Sequence, residues 1–234
     1  LAQIDEQRRL AALTLARAYL ISNQPLSANQ VLFDNRDSFA GSTLESSAAV
    51  VGCLARYLGT SEQSSKTSEG NRLLSAIAMA HPNQYEHFLD IYIAARAWLE
   101  LGFREKAIEM LTLAADTTNI SAWRRQFLFE LGVQLVFSNQ QDRAMSVFEF
   151  IVTGEEDEWL NRSLVQLGSL YAQAKRYEDT IQIGERLMKQ PIDENLRLQT
   201  LQLMGKAYRE LGQHHTAAIC FAGMWPTNSE LPPR

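Results

Sequence analysis

Apolar residues recur along this chain at helical spacing, in runs separated by short polar breaks. Across residues 86–100, Phe88, Ile91, Tyr92, Ala95, Trp98 and Leu99 fall on a helical pattern. Gly102 breaks it, and Glu105 to Ala115 resumes with Ala107, Ile108, Leu111 and Ala114 on one face. The order then repeats. Leu128, Leu131 and Leu135 lead through Asn139 to Ala144, Val147, Phe148 and Ile151. Leu164, Leu167, Leu170 and Tyr171 lead through Lys175, Arg176 and Tyr177 to Ile181 and Leu187. Leu201, Met204, Ala207 and Tyr208 lead through Gly212 to Ala217, Ile219 and Phe221. The pattern predicts pairs of amphipathic helices and no strands.

A small residue marks the same place in each pair: Ala95, Gly132, Gly168 and Gly205, at intervals of 37, 36 and 37 residues. Where two helices cross closely, only Gly or Ala lets the backbones approach, and overpacking such a site costs about 1–3 kcal/mol. A fixed period of this length predicts stacked supersecondary units instead of one central core. The motifs Leu201-x2-Met204-Gly205-x2-Tyr208, with Ala217 and Phe221 following, and Leu164-x2-Leu167-Gly168-x2-Tyr171 resemble the tetratricopeptide repeat (TPR) family. Leu128-x2-Leu131-Gly132-x2-Leu135 follows the same scheme, and Leu15-Ala16-x2-Tyr19 keeps its phase. The resemblance implies an all-α fold: a right-handed α-solenoid of antiparallel helix pairs, about six repeats in one domain spanning 1–234.

The expected repeats are 9–37, 42–82, 86–117, 121–153, 158–190 and 194–225, with 226–234 as a tail. The second is degenerate: Gly52 takes the small-residue role, but the polar stretch 59–70 (GTSEQSSKTSEG) reads as a loop between its helices. The family period is 34, so this chain runs longer. Trp123 and Trp159 lie nine residues before Gly132 and Gly168, and Leu196 holds that phase before Gly205. This predicts first helices that start nearly a turn early, with a large apolar residue packing the added turn. The acidic run Glu155 to Glu158 and the pair Pro191 and Asp193 mark two such starts.

Composition narrows the function by exclusion. Net charge is −5, which argues against binding nucleic acid or anionic membranes, since both call for a basic surface. No apolar run is long enough to span a bilayer. The chain opens on Leu1 without a signal-peptide layout, as an excised domain or processed product would, and no compartment is indicated. Cys53 and Cys220 read as buried thiols. His214 and His215 are adjacent and diverge on a helix, while His81 and His87 flank Pro82 without a cysteine at ligand spacing, so neither pair forms a metal site. No phosphate-loop, metalloprotease or nucleophile-elbow motif occurs, and neither cofactor nor catalysis is expected.

What remains is surface. The resemblance implies that the first helix of each pair lines a concave groove, and counting from the small residues assigns its outward positions. Arg17, Arg56, Arg96, Arg162, Lys206 and Arg209 then face the groove beside Tyr92 and Phe129. The reading is a protein–protein interaction scaffold for a partner protein or an extended, acidic peptide, held by arginine forks and aromatic anchors. The alternative for these cations is pairing with neighbouring Glu100, Glu130 and Glu210. Competing functions are a regulatory or assembly domain of a larger protein and a helical-repeat RNA binder, the latter disfavoured by charge. Self-association through the terminal repeats is a further expectation, with Trp225 near the exposed end.

Overall fold

The computed structural model of the protein describes residues 2–80, 87–154 and 156–225. The expected tail at 226–234, together with His81, Pro82 and Glu155, lies outside the described residues. All regular structure among the described residues is helical: α1 (Ala2–Ile21), α2 (Pro25–Asp34), α3 (Arg36–Phe39), α4 (Glu45–Gly59), α5 (Gln63–Met79), α6 (Phe88–Glu100), α7 (Arg104–Thr117), α8 (Ser121–Phe137), α9 (Gln141–Val152), α10 (Glu158–Gln173), α11 (Tyr177–Met188), α12 (Glu194–Glu210) and α13 (His214–Phe221). The chain divides into two compact units, Leu1–Phe127 and Leu128–Arg234, with the boundary inside α8.

The hairpin turns share one construction. Seven residues after the small position, the backbone turns left-handed at Asn23, Gly102, Asn139, Lys175 and Gly212 (φ 57°, 84°, 57°, 59° and 76°). The amide one residue further on donates back across the helix end. Gln24 to Tyr19, Phe103 to Trp98, Gln140 to Leu135, Arg176 to Tyr171 and Gln213 to Tyr208 all close at 2.8–2.9 Å. This is the Schellman arrangement, which satisfies carbonyls a helix end would otherwise leave unpaired. The rhythm fails only in the second pair, where Gly59 is still helical.

The small residues do what their phase requires. A Cβ on Gly132 would stand 2.6 Å from the Phe148 ring, and one on Gly205 would stand 2.8 Å from the Phe221 ring. One on Gly168 would meet Leu203 at 3.2 Å and Ile183 at 3.3 Å. Helix starts are capped where the sequence marks them. Asp157 accepts from the amides of Trp159 and Leu160 (3.0 Å each), and Asp193 accepts from that of Leu196 (2.8 Å). Trp123 and Trp159 sit in the first turns of α8 and α10. Trp123 packs on Phe127 and Phe88, and Trp159 on Phe129.

The stretch 59–70 departs from expectation. Only residues 60–62 are non-helical, and Gln63 begins α5. Polar composition masks two anchors. Buried Gly70 lies against Tyr57 and Leu101, where an added Cβ would be 3.4 and 3.6 Å away. Glu69 joins Arg56 (3.1 Å) and Arg72 (2.5 Å). Leu73 and Ile77 bury the rest of the helix, so helical structure propagates back through the polar residues. Cys53 and Cys220 are buried free thiols; burial pushes the Cys220 thiol up to about 11 and raises that of Cys53 despite nearby Arg56.

Candidate functional site

In unit 1 the expected groove residues are mostly committed within the fold. Arg17 is a correction: it is 2% exposed and cannot face a ligand. Its Nε and terminal NH2 donate to the two carboxylate oxygens of Asp90 at 2.7 and 2.6 Å, and the Ser47 hydroxyl donates to the same carboxylate at 2.9 Å. Residues from α1, α4 and α6 thus meet at one buried ion pair, which explains why a charge sits where repeat counting assigns an open surface. Tyr92 is a second correction. It is buried with its ring stacked on Phe127 at 4.7 Å, because the first half of α8 covers it.

Arg96 is half-buried and donates to the Leu20 carbonyl at 3.0 Å, so it satisfies the C-terminal end of α1. Arg56 stays exposed, held by Glu69 and by the Cys53 sulfur (3.1 Å). Beside the ion pair, the His87 imidazole caps α6 by accepting from the Leu89 amide at 3.2 Å. Burial, followed by the nearby Arg17 charge, lowers its pKa.

Unit 2 keeps its expected positions accessible. Here α10 approaches α12 directly, while the second helices α9, α11 and α13 make no comparable contact with one another. The first helices α10 and α12 therefore share a face, and repeat phase assigns the outward residues of α8 to the same side. From α8 come Phe129, Val133 and Val136, all half-buried. From α10 come exposed Arg162 and half-buried Val165, Ser169 and Ala172. From α12 come Gln199, Gln202, Lys206 and Arg209, all exposed. None of these positions is a carboxylate and three are cations, in a chain of net charge −5.

The cations differ in how tightly they are held. Arg162 lies over the Trp159 ring at 5.0 Å and reaches Glu158 at 3.7 Å, and Arg209 meets its sequence neighbour Glu210 at 3.3 Å. Such exposed pairs contribute at most about 1 kcal/mol and release readily. Lys206 has no ion-pair partner among the described residues. Phe129 is held between the rings of Phe148 (5.9 Å) and Trp159 (5.4 Å), so it belongs to the seam between repeats more than to the surface.

Between α10 and α12 this face opens into a cleft of about 170 Å³. Its walls are Leu164, Val165, Leu196 and Leu203, Gly184 and Leu187 of α11 lie beneath, and Ser169, Gln202 and Lys206 stand at the rim. Sequence reading placed Lys206 here but missed the cleft, whose signal is the small Gly184 at a position that holds Phe148 one repeat earlier. Among the described residues no cluster of side chains could hold a metal ion, and no helix is long and apolar enough to cross a membrane.

Stacked helix pairs of this kind define an all-α helical-repeat fold of the solenoid class. No protein-family model matches the chain, and no curated protein matches it. Solved structures do. The Pseudomonas aeruginosa PilF structure is 15% identical over 92% of this chain and 90% of its own, with a TM-score of 0.61. A tetratricopeptide repeat protein from Parabacteroides merdae is 15% identical over 96% and 83%, with a TM-score of 0.55. BtubC (BKLC) from P. vanneervenii is 16% identical over 95% of both chains, with a TM-score of 0.53. The chain has the tetratricopeptide-repeat fold.

Proposed function

We propose that the chain is a non-catalytic protein-interaction scaffold, and that the inner face of unit 2 holds an extended acidic segment of a partner protein. The observation that carries this reading is the charge distribution. In an acidic chain, the outward positions of α10 and α12 carry Arg162, Lys206 and Arg209, while the carboxylates of these two helices, Glu158, Glu194 and Glu210, stand at the helix ends. Cations on a face that also carries half-buried Val165 and Ala172 suit a ligand that offers both carboxylates and apolar contact. The tetratricopeptide-repeat fold supports the same reading, since stacked repeats create extended binding surfaces.

The test is selection from a random displayed peptide library on the purified chain. Enrichment of Asp and Glu is expected, with capture lost when Lys206→Glu and Arg209→Glu are combined and the helical melt is unchanged. Selection without acidic bias, or capture indifferent to charge reversal, would sink the proposal.

A further inference from the structure

The inner-face cleft of unit 2 is a seam with its filling removed. Counted from Gly132, the positions three before and sixteen after hold Phe129 and Phe148, and the position nine before the next small residue holds Trp159. These three rings plug the junction, with Phe129 5.9 Å from Phe148 and 5.4 Å from Trp159. Counted from Gly168, the same positions hold Val165, Gly184 and Leu196. Three aromatic rings have become an isopropyl group, a hydrogen and an isobutyl group. Met204 recovers part of the loss from the core side, since its side chain lies where a Cβ on Gly184 would project. The remainder stays open as the cleft of about 170 Å³.

We propose that this cleft is a side-chain pocket for one aromatic residue of the partner's acidic segment, which supplies in trans the ring that the repeat lacks. The inference rests on the scaffold reading of unit 2. The walls are aliphatic, as an inserted ring requires, and Ser169 and Gln202 offer polar groups to its flanking backbone. Lys206 is the one charged residue lining the cleft, and it has no ion-pair partner among the described residues. A ring in the cleft therefore puts the neighbouring residue beside an available ammonium group, and a carboxylate is the group that complements it. An anchor in a preformed pocket with a charge at its rim makes a binding centre out of few contacts.

The probes are two amidated five-residue peptides, four glutamates around a central tryptophan and the same peptide with central alanine, measured by fluorescence anisotropy. The tryptophan peptide is expected to bind the unmodified chain at least about tenfold more tightly, the order of gain from burying one aromatic side chain. Leu196→Trp, which refills the cleft as Trp159 fills its counterpart, should erase that preference while leaving weak binding of both peptides. Lys206→Glu should weaken both.

Equal binding of the two peptides by the unmodified chain overturns the pocket and leaves the acidic-segment reading standing. Absence of any binding overturns both. A folded Leu196→Trp chain that keeps the preference overturns the pocket alone. So does concentration-dependent self-association that Leu196→Trp abolishes, because the occupant is then a second copy. If Leu196→Trp does not fold, the comparison of the two peptides on the unmodified chain decides.

Discussion

Arg17 and Asp90 form a two-armed ion pair across 73 positions of sequence, with both side chains almost wholly removed from solvent. Ser47 adds a third hydrogen bond, so residues of three helices depend on one another inside unit 1. Removing one member strands a buried charge, which costs about 3–5 kcal/mol, whereas replacing both by apolar groups of similar volume is often close to neutral. Arg17→Met alone and Asp90→Leu alone should each lower the urea midpoint strongly, and the double replacement should recover most of the loss. If the double variant is as unstable as the sum of the singles, the pair is not the unit that holds these helices.

The same neighbourhood gives unit 1 an acid-sensitive cap. His87 accepts the Leu89 amide through Nδ1, which requires that nitrogen to be unprotonated. Burial and then Arg17 lower its pKa from the ordinary 6.5, with Asp90 opposing. The unfolded chain therefore binds the proton more readily than the folded one. Stability from this group is fully present above 6.5 and is lost as pH falls through the lower folded value. His87→Asn keeps an acceptor without a titrating ring. Chemical denaturation across the mildly acidic range should show a flatter pH dependence in that variant than in the parent.

A methyl group at Gly132 has nowhere to go. Its Cβ would stand within 2.6 Å of a ring whose atoms are buried on all sides, so Gly132→Ala should cost about 1–3 kcal/mol although alanine is the better helix former. Phe148→Leu, destabilising alone, should soften that cost when combined with it. Additivity of the two in a thermal melt would mean that the glycine is not there to seat the ring.

The helix pairs were legible because their signals are local: the small residue, the turn seven residues on, the aspartate before the next helix. Arg17 was not, because its partner Asp90 lies 73 positions away on α6 and the third member, Ser47, lies on α4. A hint was present in Asp90, a lone acid in the first turn of an apolar helix. Tyr92 was misplaced for a related reason, since counting from Ala95 cannot show that Phe127 will stack on it. The accessible cations of unit 2 came straight from the repeat phase. The cleft beside them required comparing which rings each repeat has kept.

Of the five left-handed turn residues, Lys175 is the one least suited to its backbone. Glycine adopts positive φ freely and asparagine tolerates it, but a side chain with an ordinary Cβ is strained there by about 1–2 kcal/mol. Gly102 and Gly212 occupy the matching positions, and Asn23 and Asn139 the remaining two. Lys175 is exposed, and its side chain is not needed to close the turn, which uses the Lys175 amide to the Ala172 carbonyl (3.1 Å) and the Arg176 amide to the Tyr171 carbonyl (2.8 Å). Lys175→Gly should therefore relieve strain in unit 2, while the greater entropy of glycine in the unfolded chain returns part of the gain. A net stabilisation of about 0.5–1 kcal/mol is expected, read as a rise in the thermal midpoint. Asn139→Gly should change it less. A fall in the midpoint of the Lys175→Gly chain would mean that the lysine makes a stabilising contact worth more than the strain.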